Sequence, residues 1–113
     1  MNKRSIGKQK ENLAALFLEQ HGINILERNF SCKMGEIDII GLDGNCLVFI
    51  EVKYRKNTSY GYPQEAVSIN KKRKIILVSG YYRMLKGVSD NSLIRFDVVS
   101  ILGNKIRWDK NAF

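Results

Sequence analysis

Gly35-Glu36-Ile37-Asp38-Ile39-Ile40-Gly41-Leu42-Asp43-Gly44-Asn45-Cys46-Leu47-Val48-Phe49-Ile50-Glu51-Val52-Lys53-Tyr54 decides the fold. Two strand-like runs, Glu36 to Leu42 and Cys46 to Tyr54, flank Asp43-Gly44. An Asp-Gly pair tolerates the positive φ values that a two-residue turn demands, so the stretch reads as a β-hairpin. With the turn on Asp43 and Gly44, Leu42 faces Asn45, Glu36 faces Glu51 and Asp38 faces Phe49. Side chains at alternate positions leave the same face of a strand. That register gathers Glu36, Asp38, Glu51 and Lys53 on one side of the sheet.

Working outward, Ser5 to His21 reads as a helix, with Leu13, Leu16 and Phe17 at helical spacing and Leu18 and the alanines widening that face. Gly22 is its expected stop. Ile23 to Phe30 alternates apolar and polar residues, as a half-buried strand does. After the hairpin, Lys56 to Tyr62 is a polar loop, and Pro63 suits the first turn of a short helix. Ser68 is placed to cap a helix from Ile69 to Lys86, with Ile75, Ile76, Val78, Ser79, Tyr82 and Leu85 as its buried stripe and Gly87 as its end. Leu93 to Leu102 is a fourth strand, and Gly103-Asn104 turns into a short fifth around Ile106 to Trp108. The order α-β-β-β-α-β-β predicts helices on one or both faces of a mixed sheet. A chain of 113 residues suits one domain with one core.

No apolar run approaches the roughly 20 residues of a membrane-spanning helix. The basic start, Met1-Asn2-Lys3-Arg4, is not followed by the apolar core of a signal peptide. A cytoplasmic protein without a membrane partner is therefore expected. Cys32 and Cys46 match no zinc spacing and have a single histidine, His21, to help them; they read as buried or half-buried free thiols. The net charge of +8, from 19 Lys and Arg against 11 Asp and Glu, favours an anionic partner, most commonly nucleic acid.

Three carboxylates on one sheet face repel one another and are costly to desolvate. A divalent cation removes that conflict: Mg2+ takes carboxylate oxygens at about 2.0–2.1 Å and keeps several waters. Held by Asp38 and Glu51, it would bind a scissile phosphate and lower the pKa of an attacking water. Lys53 beside it would position that water or stabilise charge on the phosphate. Spacing alone favours a plainer alternative, solvated charges on the polar face of a half-exposed sheet.

Further motifs carry a resemblance. Gly7-x-x-x-Glu11, Arg28-Asn29-Phe30, Gly35-Glu36-Ile37-Asp38, Phe49-Ile50-Glu51-Val52-Lys53-Tyr54-Arg55, Gly61, Lys71 and Arg95-Phe96-Asp97 stand in the order seen in the YraN family of bacterial proteins. The resemblance covers almost the whole chain. That family looks like a distant relative of Holliday-junction resolvases and so of the PD-(D/E)XK nucleases. It implies the restriction-endonuclease-like core, α-β-β-β-α-β, in a single domain over residues 1–113. By resemblance, Asp38 stands for the motif's first aspartate, and Glu51 and Lys53 for its (D/E)XK pair. Glu11 matches a glutamate that resolvase-like members add to the metal site, and Lys71 sits where related enzymes place a phosphate-binding or supporting residue. Ile37 stands where the superfamily name has proline. Resolvase-like relatives often dimerise, because a four-way junction presents two symmetric strands; a homodimer is thus implied, although no dimer surface is legible.

Taken alone, Glu11 is more simply a surface charge. The basic run Lys71-Lys72-Arg73-Lys74 is either a solvated helix face or, with Arg55 and Lys56, a basic rim that contacts phosphate. Arg28, Arg55, Lys71 and Arg73 are the expected nucleic-acid contacts. Tyr54, Tyr60 and Tyr62 can stack on unpaired bases, or, the commoner arrangement, pack their loop against the domain. Tyr81, Tyr82, Phe96 and Trp108 read as core or interface, Asp97 as a structural partner for a buried cation, and His21 as a capping or surface residue. Glu36 has no assigned role. The expected function is a Mg2+- or Mn2+-dependent endonuclease acting on nucleic acid, DNA before RNA, including branched DNA. The alternatives are a nucleic-acid-binding module without chemistry and an interaction protein that uses a nuclease-like fold as a scaffold.

Overall fold

The hairpin forms, with its turn one residue later than its sequence suggests. Strand β2 spans Gly35–Asp43 and strand β3 spans Cys46–Arg55, so the two turn residues are Gly44 and Asn45. Gly44 has φ 59° and Asn45 is not among the positive-φ residues. Positive φ at the first central residue alone is the type II′ pattern, which asks for glycine there. The consequence is a different register. Asp43 pairs with Cys46, Leu42 with Leu47 and Ile39 with Ile50. Continued, that register sets Asp38 rather than Glu36 across from Glu51.

The computed structural model describes residues 3–63 and 67–113. The short helix expected after Pro63 falls on residues outside the described ones. Around the hairpin stand helix α1, Lys3–Gln20; strand β1, Asn24–Cys32; helix α2, Ile69–Leu85; and strands β4, Ile94–Leu102, and β5, Lys105–Asp109. The five strands form one sheet in the order β1-β2-β3-β4-β5. All neighbours are antiparallel except β3 and β4, which are parallel and joined through α2. A parallel pair needs such a crossover, and a helix is its usual form. The predicted α-β-β-β-α-β core is therefore present, extended by one strand.

Each helix covers one face. Ala14, Ala15 and Leu18 of α1 are buried against Ile39, Val48, Ile50, Val99 and Ile101. Ile75, Val78 and Tyr82 of α2 are buried against Ile37, Ile40, Leu47 and Phe49. Two details differ from expectation. The sheet-facing side of α1 is its alanine side, and Leu13 and Leu16 stand exposed. On α2 the buried stripe is Ile75, Val78, Ser79 and Tyr82, while Ile76 and Leu85 face out. Both cysteines are free and half-buried, as expected.

The helix ends follow the expected punctuation. The Ser68 side chain accepts the Lys71 backbone N–H at 3.1 Å, capping α2. At the end of α1, Ile23 N–H reaches Leu18 O and Gly22 N–H reaches Glu19 O, with Gly22 at φ 92°. This is a Schellman closure around a left-handed glycine.

Candidate active-site cleft

The cleft exists because two central strands part. Beyond Ile39 and Ile50 the β2–β3 ladder ends. There the Val52 backbone N–H donates to Asp38 Oδ2 at 2.8 Å, so a carboxylate takes the place of a main-chain carbonyl. Side-chain alternation slips at the same point. Ile37 is buried under α2 and Ile39 under α1, although strict alternation would put both on one face. Opposite lies Asn29 of β1, between the pairs Arg28–Ile39 and Phe30–Ile37, in a left-handed conformation at φ 55°.

The gap opens into a cleft of about 790 Å³, lined on its polar side by Glu11, Asp38, Glu51, Lys53, Lys71 and Lys10. Arg55, Lys56 and Tyr60 continue the wall. Glu51 is the most enclosed of the three cleft acids, with only 3% of its surface exposed. Its Oε1 lies 3.7 Å from Lys53 Nζ and 3.9 Å from Lys71 Nζ. Its Oε2 is buried without a hydrogen-bond partner. An unpartnered buried carboxylate oxygen is costly, and such atoms ask for an explanation.

The electrostatics of the three acids follow from this packing. Burial raises the Glu51 pKa from 4.5 to about 7, with help from the charge on Asp38 and against the nearby Lys71 and Lys53 ammoniums. Burial likewise raises Asp38, although the Val52 N–H and Lys71 oppose it. Glu11 is raised by burial and then by Asp38, and lowered by Arg28 and Asn29. Glu11 faces the sheet because it precedes Ala14, Ala15 and Leu18 by three, four and seven residues, the spacing of one helix face. Its side chain is only 18% exposed, which corrects the surface reading.

A divalent cation fits the donors present. Two buried carboxylates, one of which raises the pKa of the other, and one with an orphaned buried oxygen, are relieved by a hard cation with oxygen preference. Among the described residues, no three acidic, histidine or cysteine side chains converge to cage an ion by themselves. Mg2+ does not require such a cage, since it commonly takes one or two carboxylates and completes its shell with water and phosphate. Asp38 and Glu51 would hold it. Glu11 stands at the cleft wall with its Oε1 3.5 Å from Arg28 Nη2.

The other expected contacts separate into those in the cleft and those outside it. Arg55 and Lys71 line it. Arg28 lies in an adjoining groove with Lys8, Asn12 and Asn29; that groove shares Gly7 and Glu11 with the cleft. Arg28 donates to Asn12 Oδ1 at 2.6 Å. Arg73 is exposed and not among the residues lining the cleft; two residues on from Lys71, it points about 200° away around the helix. Glu36 is exposed at the strand end, where Ser31 donates to it, and does not line the cleft. Lys10 lines the cleft and Asn29 the adjoining groove, and neither is among the site residues expected from the sequence. Only the tolerance of asparagine for positive φ hinted at the second.

Fold and site together define a small α/β domain with a carboxylate–lysine cleft at the split end of two central strands. The chain belongs to the uncharacterised protein family UPF0102, the YraN family, whose model matches residues 10–101. A UPF0102 protein of Lachnoclostridium phytofermentans is 45% identical over 113 residues, covering all of this chain and 96% of the relative. Another from Caldicellulosiruptor saccharolyticus is 43% identical, with both chains covered end to end. A third, from Legionella pneumophila, is 43% identical over 95% of this chain and 92% of its own length. Among the described residues, no helix is long and apolar enough to cross a membrane.

Proposed function

We propose that this protein is a divalent-metal-dependent endonuclease that hydrolyses phosphodiester bonds in nucleic acid, with DNA as the first substrate to try. The observation that carries this reading is Glu51: a buried carboxylate with one oxygen shared by two ammoniums and the other unpartnered, next to Asp38. A divalent cation would give that oxygen a partner. Bound Mg2+ or Mn2+ supplies a Lewis acid for the phosphate and a water of lowered pKa.

The chain's own residues do the rest. The Val52 N–H fixes the orientation of Asp38, so that one carboxylate is preset before any ion or substrate arrives. Lys53 and Lys71 offer two ammoniums to the non-bridging oxygens of a phosphate and stabilise charge as it builds there. Lys10, Arg55 and Lys56 supply cations along the cleft wall, which suits a polyanion. Arg28 and Lys8 extend that charge into the adjoining groove.

The test is incubation with single-stranded, flapped, linear and four-way DNA in Mg2+ or Mn2+. Wild type is expected to cut at least one of these, and chelation to stop it. Glu51→Gln and Lys53→Ala are each expected to slow cleavage by about 100-fold or more. The reading fails if wild type cuts nothing, or if both variants cut as wild type does. The +8 net charge supports a second reading, a binding module without chemistry. It predicts salt-sensitive binding in EDTA that Asp38→Asn leaves unchanged.

A further inference from the structure

Tyr60 stands out on the cleft wall. Its side chain is 88% exposed, yet it is a large aromatic ring. The expected packing of its loop against the domain through this ring does not occur. Among the described residues it makes no ring contact, whereas Tyr54, on the same wall, is half-buried and carries Lys10 Nζ 4.9 Å above its ring. The loop that bears Tyr60 has its own internal bonds. Gly61 N–H donates to Thr58 O at 3.0 Å, Ser59 N–H donates to Asn57 Oδ1 at 3.0 Å, and Ser59 and Gly61 form a β-bridge. Tyr60 thus sits at the tip of a tight turn that holds its backbone in place while its ring faces solvent.

The cleft is consequently lined by both kinds of surface. Asp38, Glu51 and Lys71 supply polar groups, and Tyr60 with Ile6 adds apolar surface to a lining that also includes Arg55 and Lys56. An uncovered ring among cations beside a phosphate-binding site matches one ligand chemistry well: a nucleotide whose base is free to stack. Every base has a π-face, and stacking on an aromatic side chain does not depend on sequence. A base inside a duplex is already stacked on both sides and offers no such face.

We infer that Tyr60 is a stacking platform for an unpaired base next to a phosphate held by Lys53 and Lys71, which directs this protein to single-stranded, flapped or gapped nucleic acid over continuous duplex. This rests on the endonuclease reading for the role of the polar groups, but not for the role of the ring. The test is fluorescence anisotropy with labelled single-stranded and fully paired DNA of equal length, in Ca2+ to hold cleavage back, on the full chain. Wild type is expected to prefer the single strand. Tyr60→Ala is expected to weaken single-strand binding by about tenfold or more and to leave duplex binding within about twofold. Tyr60→Phe keeps the ring and is expected to bind as wild type. An unchanged melting temperature in all three proteins shows that the fold is intact. Equal losses on both DNAs, no loss on either, or no measurable binding of wild type to DNA would overturn the inference. If Tyr60→Ala behaves as expected but wild type cuts nothing in Mg2+ or Mn2+, the stacking site stands and the nuclease reading alone falls.

Discussion

Asp97→Ala is expected to cost about 3–5 kcal/mol of folding stability, a large part of the 5–15 kcal/mol that holds a typical domain together. Asp97 is fully buried in β4, and all its polar neighbours converge on it. Arg95 donates through Nε to Oδ1 and through Nη2 to Oδ2, each at 2.9 Å. Trp108 Nε1 and the Asn111 backbone N–H donate at 2.9 Å as well. One carboxylate thereby ties the middle of β4 to the indole of β5 and to the chain beyond it. Arg95 also reaches Asp43 at the hairpin turn at 2.9 Å. Removing the carboxylate takes the partner from the Trp108 indole and the Asn111 N–H, leaves the Arg95 guanidinium with Asp43 alone, and empties a fully buried position. Asp97→Asn restores bulk and one acceptor but turns an N–H₂ toward donors, so it is expected to fall between wild type and the alanine variant. Urea denaturation midpoints measure this directly. A loss below about 1 kcal/mol for Asp97→Ala would show that these bonds contribute little.

The second large effect is a gain. Glu51→Gln is expected to stabilise the metal-free protein at pH 8 by about 3 kcal/mol, and not to stabilise it at pH 4. The sign follows from the direction of the shift. The folded-state pKa, about 7, lies above the ordinary 4.5, so the folded chain holds this proton more tightly than the unfolded chain does. Whatever Glu51 contributes is fully present below about pH 4.5 and is lost as the pH climbs through 7. Glutamine mimics the protonated form and is immune to that loss. Adding Mn2+ at pH 8 is expected to raise the wild-type melting temperature and to leave Glu51→Gln where it was, because a ligand stabilises only the state that binds it. Parallel pH–stability curves for the two proteins would contradict this. A site residue that weakens the fold until its ligand arrives is a common compromise between stability and function.

Much of the architecture was legible because each element is punctuated by the residue its ends require: Gly22 and Ser68 at helix ends, and a glycine turn between two strand-like runs. The turn itself was placed one residue early. Both Asp43-Gly44 and Gly44-Asn45 satisfy a two-residue hairpin, and only backbone twist chooses between them. That choice brings Asp38, not Glu36, toward Glu51, and Asp38, Glu51 and Lys53 line one cleft. A slip of two residues in pairing preserves the side of the sheet, whereas a slip of one reverses it.

What escaped the sequence depends on distances between elements. Helical spacing alone makes Glu11 a surface charge, because Leu13 and Phe17 are the more obvious apolar marks, and only the family resemblance points it to the metal site. The alanine pair marks the buried side, and Glu11 lies on it. The separation of β2 and β3 at Asp38 has no pattern in composition, since it rests on a side-chain oxygen substituting for a main-chain one. Tyr60 and Tyr54 are indistinguishable as residue types. One is packed and the other bare because a tight loop turns the first outward.

The most direct measurement is anomalous scattering from a crystal soaked in Mn2+. A single manganese peak within coordinating distance of carboxyl oxygens from both Asp38 and Glu51, absent from Glu51→Gln crystals, is the predicted result. Well-ordered carboxylates with no peak between them, or manganese bound only elsewhere on the surface, would contradict the claim that this pair is built to share a metal ion.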